Sequence, residues 1–97
     1  MEPFFSEAVI KKLAEKHRVS VAEVIECFAN RRGKSLIDTR EGHRTDPPTR
    51  WFIAETDYGR KLKVVYVPTD KGPEIKTAYP ANGIELEIYA AVAKVNF

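Results

Sequence analysis

The chain has 97 residues, enough for one domain with a single core, and its 43% apolar and 31% charged residues are typical of a soluble globular protein. Its net charge of +2 permits a polyanionic partner without requiring one, although residues 11 to 63 hold 13 Lys and Arg against 8 Asp and Glu. A single cysteine excludes an intramolecular disulfide, and no apolar run approaches the ~20 residues of a membrane span, so we expect a cytoplasmic protein without a membrane partner.

Two helices are predicted first, each from its capping residues. Ser6 is placed as the N-cap of the first helix, which His17-Arg18 closes. Ser20 and Glu23 have the spacing of a capping box, so the second helix begins there. Gly33 is expected to be the C′ residue that ends it.

Four strands and a last helix follow. Strands are predicted over residues 34 to 38, on both sides of the turn at Asp57-Tyr58-Gly59-Arg60, and over residues 74 to 79. Asn82 caps the last helix with Glu85 at N3. Its apolar stripe is predicted to be Ile84, Ile88, Ala91, Val92 and Val95. The order α-α-β-β-β-β-α with short links predicts a single α+β domain, residues 1–97, with a four-stranded, mainly antiparallel sheet packed by helices.

The hairpin around Gly59 is predicted to have two chemically different faces. We expect Thr56 to pair with Lys61, the register shared by two-residue and four-residue loops. The apolar face would then hold Trp51, Ile53, Leu62, Val64 and Tyr66. The other face would hold Phe52, Ala54, Thr56, Lys61 and Lys63. One face can bury a core, and the other can hold an anion such as a nucleic-acid backbone.

The polar loop after the first strand combines groups that could cleave a phosphodiester without metal. RNA cleavage needs a proton acceptor for the 2′-hydroxyl, positive charge for the phosphorus centre, and a proton for the leaving oxygen. The candidates for proton transfer are His43, Glu41, Glu55 and, at the end of the fourth strand, Tyr79. The candidates for binding phosphate are Arg40, Arg44, Arg60, Lys61 and Lys63. The alternative is a solvated loop held by internal ion pairs.

Lys61 and Lys63 give the sharper signal, because alternate positions of one strand place both ammonium groups on one sheet face, ~7 Å apart. An ordinary solvent-facing sheet would have the same pattern. The alternative for Tyr79, which the sequence favours, is an aromatic side chain at the edge of the core, and His17 is interpreted as a cation at a helix C-terminus. No spacing typical of a metal site and no nucleotide-binding motif occurs, so neither metal nor cofactor is expected.

Three segments together resemble a known family. They are Lys16-His17-Arg18-Val19-Ser20, the run GRKLKVVYV, and Ile75-Lys76-Thr77-Ala78-Tyr79 before a Glu-bearing helix. With them, residues 9 to 89 resemble the BrnT-type toxins of the RelE/ParE superfamily. The chain is also similar to short bacterial proteins that share its REGHRTDPPT and WFIAET segments, some of which are named ADP-ribosyl-(dinitrogen reductase) hydrolase.

The toxin resemblance implies a RelE-like fold and a metal-independent endoribonuclease that acts on RNA, free or on the ribosome, and is neutralised by an antitoxin protein. Arg60 occupies the Gly-Arg position that opens the third strand in that family. Tyr79 stands where BrnT-like sequences usually carry arginine, a departure that leaves the catalytic roles open. The competing hypothesis is a non-enzymatic regulatory module that uses this fold to bind protein or nucleic acid.

Overall fold

The computed structural model describes residues 2–39 and 46–97 and has an α+β fold, as predicted. One antiparallel sheet has the strand order β1-β2-β3-β4, so neighbours in sequence are neighbours in space. The strands are β1 (Leu36–Ile37), β2 (Arg50–Glu55), β3 (Lys61–Thr69) and β4 (Gly72–Pro80). The helices are α1 (Glu7–Lys12), continued by a π-helical turn (Leu13–His17), α2 (Val21–Ala29) and α3 (Gly83–Ala93).

All three predicted N-caps are confirmed. The Ser6 side chain accepts a hydrogen bond from the Val9 N–H, and Ser20 with Glu23 forms a complete capping box. Asn82 and Glu85 form a second box at the start of α3. Each cap satisfies backbone N–H groups that the first helical turn leaves without partners, which is why these short polar residues locate helix starts.

The predicted register of the hairpin is wrong by one residue. The Thr56 N–H donates to the Arg60 carbonyl, which leaves a three-residue loop in which Gly59 takes a φ of 83°. Lys61 therefore pairs with Glu55 rather than with Thr56. A shift of one residue turns one strand over relative to the other, because side chains alternate between faces. The face under α2 holds Phe52, Ala54, Leu62, Val64 and Tyr66, and the face under α3 holds Trp51, Ile53, Glu55, Lys61, Lys63 and Val65.

Helices cover both faces of the sheet. On one face, Phe28 of α2 makes edge-to-face contacts with Phe52 and Tyr66, at ring-centroid distances of 4.8 and 5.6 Å. On the other face, Tyr89 of α3 is fully buried against Trp51. Its hydroxyl donates to the Lys34 carbonyl at 2.8 Å, so its polar end is satisfied as well.

The predicted apolar stripe of α3 does not face the core, apart from Val95, which is buried just beyond the helix. Ile84, Ile88 and Val92 are 70%, 47% and 48% exposed, whereas Tyr89 is completely buried. Ala91 is exposed as well. This helix is apolar on nearly every side, so the spacing of its apolar residues could not identify the buried one.

Gly33 is not the C′ residue of α2, which ends at Ala29 with Asn30 as its C-cap. It lies instead against the end of α3. A β-carbon on Gly33 would lie 2.6 Å from Val95 Cγ2, 2.9 Å from the Tyr89 hydroxyl and 3.0 Å from Ala93 Cβ. The absence of a side chain at Gly33 therefore permits the close approach of this segment to the end of α3.

Replacing Gly33 by alanine should lower the free energy of unfolding by about 1 kcal/mol, because the added methyl group must displace packed atoms. Gly83→Ala is the matched control, since a β-carbon there would have no atom within 4 Å beyond its chain neighbours and the backbone of its own helix, and Gly83 begins that helix. We expect that control to be neutral or slightly stabilising. Urea denaturation of both variants measures the difference. Equal stability of the two variants would contradict the packing role of Gly33.

Candidate functional site

A cleft of about 370 Å³ lies between α3 and the β1 side of the sheet. Its charged lining residues are Asp38, Lys63 and Glu85, and Trp51 forms an aromatic part of the wall. The remaining lining residues are Leu36, Ile37, Thr39 and Ile88.

Lys63 and Glu85 form a nearly buried ion pair in this cleft. Lys63 Nζ lies 2.9 Å from Glu85 Oε2, and the two side chains are only 10% and 16% exposed. The ammonium group also lies 4.5 Å from the centre of the Trp51 ring, within the range of a cation–π contact. Lys61 and Lys63 share a face of β3, as predicted, but α3 covers that face at Lys63.

Glu85 uses both carboxylate oxygens. Oε1 accepts the Asn82 N–H at 3.1 Å, which completes the capping box, and Oε2 accepts hydrogen bonds from Lys63 and from the Tyr79 hydroxyl. Burial by itself would raise the pKa of Glu85. The Asn82 N–H, Lys63 and Tyr79 outweigh that effect, so the pKa of Glu85 lies below its ordinary value and the group is ionised.

Tyr79 joins this pair to His17. Its hydroxyl donates to Glu85 Oε2 at 3.0 Å, and its ring centre lies 5.5 Å from the His17 ring and 5.7 Å from Lys63 Nζ. Partial burial, followed by the nearby Lys16 and Lys12 cations, lowers the pKa of His17. His17 is therefore neutral near pH 7 and can accept a proton.

Arg60 is engaged elsewhere. Its guanidinium donates to the His17 and Arg18 carbonyls and forms a 3.0 Å ion pair with Glu23. Burial would raise the pKa of Glu23, but the hydrogen bond from the Ser20 N–H and the Arg60 charge together lower it. Arg60 thus ties the end of the π-helical turn to the start of α2, and its predicted contact with phosphate stays a prediction.

Glu55 and Lys61 lie on neighbouring strands at the hairpin end and do not line the cleft. Glu55 is 3.7 Å from Arg32 in an ion pair at the surface. Lys61 is partly exposed and, among the described residues, has no ion pair. Glu55 and Tyr79 are both predicted to transfer protons, but the side-chain contact described for Glu55 is with Arg32, whereas those of Tyr79 are with Glu85, His17 and Lys63.

Four predicted site residues lie outside the described residues. They are Arg40, Glu41, His43 and Arg44. Their roles stay predictions. Asp38, which precedes them, is 8% exposed and lines the cleft.

Three residues at or beside this site are not predicted as site residues from the sequence. Glu85 was assigned only as a helix cap, although a capping carboxylate has a second oxygen that is open to other donors. Trp51 was placed on the wrong face by the register error. The position of His17 at a helix end predicts only a capping cation, because its contact with Tyr79 joins residues far apart in sequence.

Cys27 is a buried thiol, and the described His, Cys, Asp and Glu side chains form no metal site. Burial, followed by the nearby Glu23 and Glu26 charges, raises the pKa of Cys27 to about 12. The thiol therefore stays protonated and lies against the Ala54 carbonyl. Within residues 2–39 and 46–97, no group of three or more His, Cys, Asp or Glu side chains is placed to hold a metal ion.

Among the described residues, no helix is both long and apolar enough to cross a bilayer. Comparison with protein-family models, with curated proteins and with solved structures gave no match. The resemblance to BrnT-type toxins therefore stays a prediction that rests on the sequence motifs.

Proposed function

We propose that this protein is a metal-independent endoribonuclease of the bacterial toxin type, acting in the cytoplasm on RNA that is free or bound to the ribosome. The observation that carries the proposal is the network of Tyr79, Glu85 and Lys63 beside the neutral His17. Such a network can hold and move protons beside the cleft that Lys63 and Glu85 line. An antitoxin protein is the proposed partner that neutralises the enzyme.

The proposed reaction is attack of an RNA 2′-hydroxyl on the adjacent phosphorus. The 2′-oxygen forms the new bond to phosphorus and the bond to the 5′-oxygen breaks, which leaves a 2′,3′-cyclic phosphate and a 5′-hydroxyl. His17 accepts the 2′ proton, and Tyr79 donates a proton to the leaving oxygen. Glu85 orients the Tyr79 hydroxyl, and Lys63 offsets the charge of Glu85. His43 is a second candidate for either proton transfer.

Removing the Tyr79 hydroxyl tests the proposal. Tyr79→Phe keeps the ring against His17 and should lower the rate of RNA cleavage by about 100-fold, the lower end of the effect of a proton-transfer group. Tyr58→Phe is the matched control, because Tyr58 is 96% exposed and should be neutral. Cleavage of end-labelled RNA is measured in EDTA, with and without ribosomes. Intact RNA after incubation with the unaltered protein under both conditions would refute the proposed activity.

A specific observation favours a non-enzymatic module as the second candidate. Arg60 and Lys63, both predicted to bind phosphate, already form ion pairs within the protein. Expression in bacteria separates the two functions, since a toxin stops growth and Tyr79→Phe should relieve the arrest. A binding module should leave growth unchanged for both proteins.

A further inference from the structure

The outward side of α3 is almost entirely apolar. Ile84, Ile88 and Val92 are spaced four residues apart, so they form one stripe along the helix, and each is at least 47% exposed. Ala91 lies on the same side, and Glu87 borders the stripe as its charged neighbour. A helix that is apolar on all sides is usually buried. The composition of the stripe is therefore that of a helix surface that is normally buried against other protein atoms.

The stripe continues onto the first strand. A shallow groove of about 380 Å³ separates α3 from β1, and its apolar lining consists of Leu36, Ile37 and Val92. Ile37 is 46% exposed, although it lies in a strand. We name the area formed by Ile37, Ile84, Ile88 and Val92 the α3–β1 surface. The stripe forms a ridge beside a groove, and helices commonly pack by fitting ridges into grooves.

The border of the groove is positively charged. Lys34 and Arg50 line it, together with the uncharged Ser35 and Thr39. Neither cation forms a salt bridge with another described residue. Helix α3 carries two carboxylates. Glu85 is paired with Lys63, and Glu87 lies on the side of the helix away from Val92. An occupant whose apolar side is flanked by carboxylates would match this arrangement.

We propose that the α3–β1 surface is the docking site for an amphipathic helix of a partner protein whose apolar face is flanked by Asp or Glu. A second copy of this chain fits less well, because it offers its own Lys34 and Arg50 at the same border. A nucleic acid would meet aliphatic side chains without aromatic rings on which bases could stack. Ile37 and Ile88 also line the cleft that contains Lys63 and Glu85, whereas Ile84 and Val92 do not, so substitutions at Ile84 and Val92 test the docking surface apart from RNA cleavage.

A designed peptide tests the proposal directly. The probe is a fluorescein-labelled helix of about 15 residues, long enough to span α3, with leucines on one side and glutamates beside them. The reference peptide has lysine in place of every glutamate. We expect saturable binding of the acidic peptide by fluorescence anisotropy, at least about 10-fold tighter than the basic peptide, a difference typical of complementary charge. Amide shifts should concentrate at Ile37, Ile84 and Val92.

Two variants locate the binding. Ile84→Gln with Val92→Gln should weaken binding of the acidic peptide about 10-fold or more, because it removes apolar contact area from the stripe. Ile25→Gln is the control, since Ile25 of α2 is 48% exposed and lies off the surface. RNA cleavage by the Ile84→Gln, Val92→Gln protein should be unchanged, so failure of this proposal is distinguishable from failure of the proposed enzyme.

Several results would overturn the docking proposal. They are equal binding of the two peptides, no saturable binding, or an equal effect of Ile25→Gln. Sedimentation that shows a dimer of the unaltered chain, lost in the Ile84→Gln, Val92→Gln variant, would assign the surface to a second copy instead. Amide shifts at the same residues on adding a single-stranded RNA oligonucleotide, without shifts from the acidic peptide, would assign it to nucleic acid.

Discussion

Replacing Tyr89 by alanine should lower the free energy of unfolding by about 3 to 5 kcal/mol, the usual cost of removing a large aromatic side chain from a core. Tyr89 is fully buried, its ring packs against Trp51 and Phe97, and its hydroxyl bonds to the Lys34 carbonyl. The truncation would thus leave a cavity under α3 and a carbonyl without its donor. Urea denaturation followed by circular dichroism measures the loss.

Ile88→Ala is the matched control for this prediction, because Ile88 is the preceding residue of the same helix and is 47% exposed. We expect it to cost less than about 1 kcal/mol, in proportion to the small area it buries. Tyr89→Phe separates packing from hydrogen bonding and should cost about 1 kcal/mol. A larger loss of stability for Ile88→Ala than for Tyr89→Ala would contradict the burial of Tyr89. It would instead support the buried helix face that the spacing of the isoleucines predicts.

The sequence was sufficient for the local features of this fold. Helix starts at Ser6, Ser20 and Asn82 were predictable because a cap contacts backbone groups two or three residues away. The strand order was predictable as well, since short links favour pairing of neighbours. The ends of two strands differ, as β1 is shorter than predicted and β4 is longer.

The sequence-based predictions are wrong where a small local feature, such as the length of a loop, changes contacts far away in the chain. The loop at Gly59 has three residues rather than two or four, and that single difference moved Trp51 to the face under α3. The buried side of α3 depends on what lies opposite it, which the apolar pattern of the helix does not specify. Glu85 became part of the candidate site only because α3 packs over Lys63.

Removing one partner of the Lys63–Glu85 pair should destabilise the protein by about 3 kcal/mol, the lower end of the cost of leaving a buried charge unpaired. Lys63→Met leaves the Glu85 carboxylate without its cation, and Glu85→Gln leaves the ammonium group without its anion. The double variant should lose much less than the sum of the two single losses, because neither charge remains. Urea denaturation of the four proteins gives this coupling energy.

The exposed Lys76–Glu74 pair is the control for burial. Its side chains are 49% and 38% exposed, so Lys76→Met should change stability by less than about 1 kcal/mol, and any effect should shrink in high salt. The Lys63→Met effect should depend much less on salt, because the Glu85 carboxylate is shielded from solvent. Similar losses for Lys63→Met and Lys76→Met would show that the cleft pair is effectively solvated.

The same pair should make stability depend on pH in acid. Because the pKa of Glu85 is lower in the folded protein than its ordinary value of 4.5, the ionised form favours folding. This contribution is complete above pH 4.5 and is lost as the pH falls through the lower folded value. On acidification from pH 5 to the folded pKa of Glu85, the Glu85→Gln variant should therefore lose less stability than the unaltered protein. Both proteins should still lose some stability in acid, because the pKa of Glu23 is also lowered. Identical acid profiles for the two proteins would mean that Glu85 titrates as it does in the unfolded chain, and the hydrogen bonds from Lys63 and Tyr79 would then contribute nothing to its ionisation.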